Sequence, residues 1–195
     1  PYKNRPIGGF FAGKAEKSRF SSIGCLLCYN ESQVGRANRS VDGGAEMSRA
    51  ERVILTNMCM VYDGDRILVQ NKVNDDWTGL CFPGGHVEYR ESFVKSVIRE
   101  IKEETGLTIY EPRLCGVKQF YTEKAERYIV FLYKTNRFEG ELVSSDEGEV
   151  FWIKREDLDH HSLALSFKEM YQIFTSDLTE QFTYLDNGEI IRDLY

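Results

Sequence analysis

The sequence predicts an α/β fold of the α+β kind, a sandwich in which a mixed β-sheet lies between helices. Three observations support this prediction. Strand-like runs stand on both sides of a long amphipathic helix, a second helical segment comes late in the chain, and no internal repeat is present.

The first predicted elements are a hairpin and a short third strand. Residues 52–62 and 66–73 are rich in β-formers and flank the turn sequence Asp-Gly-Asp at 63–65. A polar loop at 74–76 follows. A short apolar strand at 80–82 then stops at Pro83-Gly84-Gly85, because proline and glycine end regular structure.

Residues 91–104 are predicted to form the long helix. Val94, Val97, Ile98 and Ile101 recur at i, i+3, i+4 and i+7, so we expect one apolar stripe facing a core. Gly106 is placed as the C-terminal stop of this helix.

The rest of the chain alternates between strands and one more helix. Strands are predicted over 107–121, 127–136 and 149–154, and a second helix over 163–174. Asn187-Gly188, between two apolar segments, predicts a terminal β-hairpin with a tight turn.

Composition divides the chain of 195 residues into two parts. Residues 1–46 hold seven glycines and 7 Lys/Arg against 4 Asp/Glu, with little periodicity, and are predicted to be a flexible or adventitious N-terminal extension. An ordered subdomain is the alternative. Residues 47–195 form the predicted domain and hold 18 Lys/Arg against 27 Asp/Glu, a net charge of −9 that argues against binding a nucleic-acid polymer.

Five cysteines make no regular disulfide framework. Cys59, Cys81 and Cys115 lie in apolar runs and are interpreted as buried, reduced thiols. Cys25-x-x-Cys28 has half the spacing of a zinc site but no second pair follows it. No apolar run approaches the roughly 18 residues of a membrane span, so a cytoplasmic protein without a membrane partner is expected.

Three carboxylates of the long helix share one face. Glu100, Glu103 and Glu104 stand at i, i+3 and i+4, where like charges repel. A hard divalent cation removes that repulsion, and oxygen ligands select magnesium, manganese or calcium. On charge alone, a solvated acidic helix face remains the alternative.

This stretch resembles the Nudix box, the motif of the Nudix hydrolase family. The motif has glycine, a glutamate six residues on, and then an Arg-Glu pair, a Glu-Glu pair, a glycine and an apolar residue. Its positions are all matched here, by Gly85, Glu91, Arg99, Glu100, Ile101, Glu103, Glu104, Gly106 and Leu107. The resemblance implies a Nudix-type α/β/α sandwich over 47–195 and a metal-dependent hydrolase of diphosphate linkages.

The resemblance also implies roles for the residues of the box. Glu100, Glu103 and Glu104, with the carbonyl of Gly84, would hold Mg²⁺, for which Mn²⁺ could substitute. Gly85 and Gly106 would support the site, and Glu91 and Arg99 would form a structural pair that braces the loop against the helix. A carboxylate favoured by the helix dipole is the alternative for Glu91.

Family members often place another acid in a loop before a strand that contains tryptophan. The segment Ser145 to Trp152 is similar, and Glu147 is the candidate metal ligand or general base. Glu149 is the second candidate, and an ordinary polar turn is the alternative. Lys72 is a candidate phosphate contact or a surface lysine.

Substrate class is predicted from the run Trp77-x-Gly79-x-x-Phe82-Pro83-Gly84-Gly85, which resembles small bacterial enzymes of the 8-oxo-dGTP diphosphatase type. Trp77 could stack on a base, whereas Phe82 is expected in the core. The expected partner is therefore a nucleotide, bound by a monomer or homodimer. Alternatives are hydrolysis of ADP-ribose or of a dinucleoside polyphosphate, a non-catalytic Nudix-fold regulator, and an RNA-end hydrolase, which the acidic charge disfavours.

Overall fold

The structure of the chain, a computed structural model, describes residues 50–74 and 77–195, without the side chains of 73–78. The predicted extension at 1–46, the Cys25-x-x-Cys28 pair and the side chain of Trp77 lie outside the described residues. These predictions therefore stay predictions.

The described residues form a mixed sheet with one α-helix on each face, which confirms the predicted fold class. The elements are β1 (Val53–Asp63), β2 (Arg66–Asn74), β3 (Trp77–Cys81), α1 (Phe93–Thr105), β4 (Thr108–Ile109), β5 (Arg113–Tyr121), β6 (Arg127–Thr135), β7 (Phe138–Glu139), β8 (Glu149–Lys154), a 3-10 helix (Arg155–His160), α2 (Phe167–Thr175), β9 (Glu180–Asp186) and β10 (Glu189–Leu194).

The main sheet follows the order β10-β9-β5-β6-β1-β2-β3, and β8 pairs with the other edge of β2. The β1–β6 and β5–β9 pairs are parallel and the remaining pairs are antiparallel. Strands β1 and β2 pair only at their hairpin end, where Tyr62 faces Ile67 and Asp63 faces Arg66. The sheet therefore opens away from this hairpin, and the loop after β3 enters the gap.

Alternation along β1 builds a separate core on each face of the sheet. Met58 and Met60 point to the α2 side and join the larger cluster of buried residues. Cys59 and Val61 point to the α1 side and pack with Ile101 of the helix. Because both faces are covered, the strand is a continuous apolar run at this point.

Helix α1 begins and ends where capping chemistry predicts. The Ser92 hydroxyl accepts a hydrogen bond from the Lys95 amide, and Gly106 closes the helix at φ 75°. The predicted apolar stripe is wrong in one position: Val97 and Ile101 are buried, whereas Val94 is 45% exposed. Val94 stands in the first turn, before the helix is fully covered by the sheet.

Three other element predictions need correction. The short strand predicted at 80–82 is β3, which begins at Trp77 and ends at Cys81. The predicted strand over 107–121 is two strands, β4 and β5, because the left-handed φ of 48° at Glu111 interrupts the extended backbone between them. The second helix begins at Phe167 rather than 163, since the residues before it pair with the edge of β3. Cys59 and Cys81 are buried as predicted, but Cys115 is only half-buried.

The terminal hairpin is confirmed. Asn187 and Gly188 both have positive φ, 50° and 87°, as a type I′ turn between β9 and β10 requires. Within the described residues, none of the helices has the length and apolarity to cross a membrane.

Candidate active site

The loop from Pro83 to His86 lies along β1 and brings the backbone close to helix α1. The amides of Asn57 and Cys59 donate to the carbonyls of Gly85 and Pro83 at 2.9 and 3.0 Å. Gly84 is sterically required, because its φ is 154° and backbone lies against it, whereas Gly85 leaves room for the Glu100 carboxylate. A Cβ on Gly84 would lie 2.3 Å from the Asn57 carbonyl oxygen, and one on Gly85 would lie 2.2 Å from the Glu100 carboxylate.

A network centred on Arg99, here called the Arg99 group, joins Arg99 to Glu91, Glu100 and Glu103. The guanidinium holds Glu91 in a bidentate pair at 2.8 and 2.9 Å, and its remaining nitrogen reaches Glu100 at 2.9 Å and Glu103 at 3.0 Å. It also donates to the His86 carbonyl at 3.0 Å, which ties the loop to the helix. The predicted structural pair of Glu91 and Arg99 is therefore present.

The charges of the Arg99 group stabilise one another. The hydrogen bonds from Arg99 lower the pKa of Glu91 to about 2, and the pairing with Glu91 raises the pKa of Arg99. Burial acts in the opposite direction on Glu100 and raises the pKa of that carboxyl, although Arg99 opposes the change.

A second network, here called the Lys72 group, joins Lys72 to Glu104 and Glu147. The ammonium of Lys72 lies 3.3 Å from a Glu104 oxygen and 3.2 Å from a Glu147 oxygen. The other Glu104 oxygen accepts the Gly84 amide at 2.7 Å. Both Lys72 and Glu104 have side chains only 3% exposed, whereas the Glu147 side chain is 47% exposed.

Burial raises the pKa of Glu104 well above its usual range. Lys72 pulls this pKa down, and the neighbouring Glu147 raises it further. Keeping Glu104 charged costs free energy, because this buried carboxylate has one cation and a second carboxylate beside it. A bound cation would reduce this cost by neutralising the local negative charge.

The two groups adjoin along α1 and together hold five carboxylates against two cations. In the described part of the chain, no three His, Cys, Asp or Glu side chains are arranged so that they could hold a metal ion as they stand. Arg99 and Lys72 instead engage these carboxylates. The oxygen-only donors and the raised pKa values of Glu100 and Glu104 fit a hard divalent cation.

The two candidate acids outside the helix are Glu147, in the loop at 144–148 that is here called the acid loop, and Glu149, at the start of β8. Glu147 contacts Lys72 and raises the pKa of Glu104, so it lies in the cluster. Glu149 is the first residue of β8 and pairs with Asn71 at the strand edge, with its side chain exposed. The structure brings Glu147, and not Glu149, to the carboxylates of α1.

The structure also gives the positions of Phe82, Lys72 and His86. Phe82 is fully buried and stacks on Phe167 at 4.5 Å between ring centroids, which confirms a core role. Lys72 is not a surface lysine, because it is 3% exposed. His86, which the sequence left without a role, is half-buried and supplies its carbonyl to Arg99 and to Ser96.

Sequence reasoning missed the pairing of Lys72 with the two glutamates. A signal was present, because strand alternation puts Leu68, Gln70 and Lys72 on one face of β2, and Leu68 belongs to the α1-side core. A lysine on the face that a helix covers requires a buried carboxylate. The sequence also missed Asn57, whose amide donates to the Ser96 hydroxyl of α1 at 2.8 Å.

The NUDIX domain family matches residues 54–174, which include every residue of the two groups. The chain therefore belongs to the Nudix hydrolase family, whose members act on nucleotide derivatives and generally use divalent metal cations.

Curated relatives share about a third of the aligned residues. The chain is 32% identical over 111 residues to the uncharacterised Nudix hydrolase YvcI of Bacillus subtilis, covering 54% of this chain and 69% of that protein. It is 32% identical over 98 residues to an 8-oxo-dGTP diphosphatase of Haemophilus influenzae, covering 49% of this chain and 71% of the relative. An ADP-ribose pyrophosphatase of Methanocaldococcus jannaschii is 33% identical over 88 residues, covering 44% of this chain and 52% of the relative.

Solved structures share the fold. A mutator MutT protein of Bacillus halodurans superposes with a TM-score of 0.61 at 27% identity, covering 72% of this chain and 97% of that chain. A MutT Nudix hydrolase of Burkholderia pseudomallei, at 21% identity and a TM-score of 0.56, covers 63% of this chain and 98% of that chain and supports the fold alone.

Proposed function

We propose that this protein hydrolyses the diphosphate linkage of a nucleoside triphosphate, releasing the monophosphate and diphosphate, with an oxidised purine nucleotide such as 8-oxo-dGTP as the first candidate. The observation that carries the proposal is the convergence of Glu100, Glu104 and Glu147 beside the Gly84-Gly85 backbone. The relative named 8-oxo-dGTP diphosphatase supports the substrate class.

Mg²⁺ is the proposed cofactor, with Mn²⁺ as a substitute. Glu100, Glu103, Glu104 and Glu147 would hold the ions together with the Gly84 carbonyl. When bound, such cations neutralise phosphate oxygens and lower the pKa of coordinated water. The chain contributes their placement, because α1 carries three of these carboxylates at fixed spacing.

The protein's own residues position the reacting groups. Arg99 keeps Glu100 against Gly85, and Lys72 keeps Glu104 beside Glu147. Glu147, the more exposed acid of the Lys72 group, would take the proton of the attacking water. Positioning and electrostatic stabilisation carry most of the rate in phosphoryl transfer.

A nucleotide panel with magnesium, read by chromatography of the products, tests the proposal. We expect cleavage of 8-oxo-dGTP to the monophosphate and diphosphate, abolished by excess chelator. Preferential cleavage of ADP-ribose would instead favour the activity of the archaeal relative. An absence of cleavage of every nucleotide would contradict the proposal.

The role of Glu147 is tested against its neighbour Glu149. Glu147→Gln should lower kcat more than it changes KM, because its contact with the attacking water forms mainly in the transition state. Glu149→Gln is the matched control and should retain nearly the parent kcat, since Glu149 lies at an exposed strand edge. The reverse order would show that Glu149 is the acid. The cytoplasmic location and the monomeric or homodimeric state stay predictions.

A further inference from the structure

A cavity of about 350 Å³ lies beside the Lys72 group, where β2, β3 and β8 meet the segment before α2. Lys72 contributes to its wall as well as to the carboxylate cluster. The cavity also adjoins the acid loop, because a Cβ on Gly148 would lie 2.5 Å from the Asn71 carbonyl oxygen. The cavity and the carboxylate cluster therefore share Lys72, and both adjoin the loop that carries Glu147.

The walls of the cavity are fixed by backbone hydrogen bonds. The Leu80 amide donates to the Ser162 carbonyl at 2.8 Å, and the Ala164 amide donates to the Leu80 carbonyl at 2.9 Å. Gly79 permits this approach, since a Cβ there would lie 2.8 Å from the Ala164 nitrogen. His161 and Ser162 are thus held at the edge of β3, and the cavity is formed without a ligand.

The side chains of the cavity suit a flat, uncharged ring with hydrogen-bonding edges. Phe151 and His161 supply aromatic surface, with ring centroids 6.4 Å apart and planes tilted by 47°. Within the described residues, the Asn71 amide and the Ser162 hydroxyl make no side-chain hydrogen bond, so they can bind a ligand. Among the described lining residues, Lys72 is the one that carries a full charge.

We propose that this cavity binds the heterocyclic base of the nucleotide substrate, with Phe151 and His161 in contact with the ring and Asn71 and Ser162 at its polar edge. This inference rests on the proposed function, and it assigns base recognition to residues on β2, β8 and the segment before α2. The volume, near the lower end of the roughly 300–1,000 Å³ of ligand pockets, suits one base and its sugar.

The test compares 8-oxo-dGTP with 2-deoxyribose 5-triphosphate, which lacks the base. His161→Ala should raise KM for 8-oxo-dGTP about tenfold, the effect of losing an aromatic contact to a base, while kcat stays within about twofold. KM for the base-free probe should not change. His160→Ala is the matched control, because His160 is the adjacent exposed histidine and does not line the cavity.

Phe151→Leu gives a second test that retains an apolar side chain on β8, and its KM should rise for the nucleotide alone. Unchanged KM in both variants, or an equal rise for the base-free probe, would overturn the proposal. Binding of free 8-oxo-deoxyguanosine, followed by the His161 ring signals in NMR spectra, separates the two proposals. If the nucleoside perturbs the His161 signals but the protein cleaves no nucleotide, only the proposed function is contradicted. If the nucleoside binds without perturbing His161, the base site lies elsewhere.

Discussion

The Arg99 group and the Lys72 group use the same chemistry, one cation among glutamates on or near helix α1, with opposite energetic results. Arg99 is a quarter exposed and makes four hydrogen bonds to carboxylate oxygens, and it lowers the pKa of Glu91 to about 2. Lys72 is almost fully buried and reaches two carboxylates at longer distances, and the pKa of Glu104 stays well above its usual value.

The difference follows from donor geometry and solvent. A guanidinium offers five donors in a planar fork that matches a carboxylate, whereas an ammonium acts as a point charge. Burial adds a desolvation cost that a single lysine does not offset for two acids. The Arg99 group therefore stabilises the loop and helix, whereas the Lys72 group keeps two carboxylates against a single ammonium.

The largest effect should come from Glu104→Gln, which removes a proposed ligand. We expect kcat to fall by several powers of ten while the fold is retained. Because burial raises the pKa of Glu104 in the folded state, its charge opposes folding at any pH above the usual carboxyl pKa. Near pH 8 the Tm of the variant should therefore equal or exceed that of the parent. Near pH 4 the Tm of the variant should not exceed that of the parent.

Glu169→Gln is the control for this prediction, since Glu169 lies on α2, away from both groups. Its kcat should match the parent. Parent-like activity of Glu104→Gln in magnesium would show that the Lys72 group does not take part in catalysis, and the contrast between the two groups would lose its functional meaning.

A smaller effect is expected for Lys72→Met, which leaves Glu104 and Glu147 without their ammonium. Activity should fall about tenfold to a hundredfold, as expected if Lys72 orients the proposed metal ligands. Stability near pH 7 should fall by about 3 kcal/mol, because two carboxylates lose their buried partner. Added MgCl₂ should raise Tm more in the variant than in the parent, since the cation replaces the lost charge.

Lys168→Met removes a lysine that is 67% exposed and paired with Asp159, and should change Tm little. If Lys72→Met has the parent Tm with and without magnesium, the ammonium is not a counter-ion of the cluster. Differential scanning calorimetry at low and high magnesium distinguishes the outcomes.

Local pattern was sufficient to predict most of the longer elements and the box, but not the short strand β7 or the 3-10 helix. The strand over 149–154 and the helix that ends at Gly106 follow from alternation, 3.6-residue periodicity and capping, which act over a few residues. The apolar stripe was wrong at Val94 because exposure depends on where the sheet ends, and this is a tertiary property. The break at Glu111 has no signal in the apolar pattern, because a positive φ at a residue other than glycine is uncommon.

The sequence predicted the part of the site that lies on helix α1. Glu100, Glu103 and Glu104 share a face by spacing, but the contacts of Lys72 with Glu104 and Glu147 join residues 32 and 75 positions apart. Such pairings depend on strand order, which the sequence pattern does not specify. The same holds for the cavity near His161, whose walls come from β2, β3, β8 and the segment before α2.

The smallest effect on activity is expected for Glu91→Gln, which tests the Arg99 group. The amide keeps the shape of the side chain but loses the charge-assisted pair, so stability near pH 7 should fall by roughly 2 kcal/mol after allowance for solvent screening. The folded-state pKa of Glu91 is lowered from 4.5 to about 2. Its stabilisation is therefore fully present above about pH 4.5 and is lost as the pH falls through about 2.

Chemical denaturation of parent and Glu91→Gln at a series of pH values measures this difference directly. The two unfolding free energies should differ most near neutrality and converge as the pH falls toward about 2. Glu88→Gln is the matched control, because Glu88 is exposed and contacts Glu91 through its backbone amide and carbonyl, which the substitution leaves in place. A difference that does not change with pH would mean that packing, and not charge, makes Glu91 stabilising. kcat should fall only a few-fold, since Arg99 still holds Glu100 and Glu103.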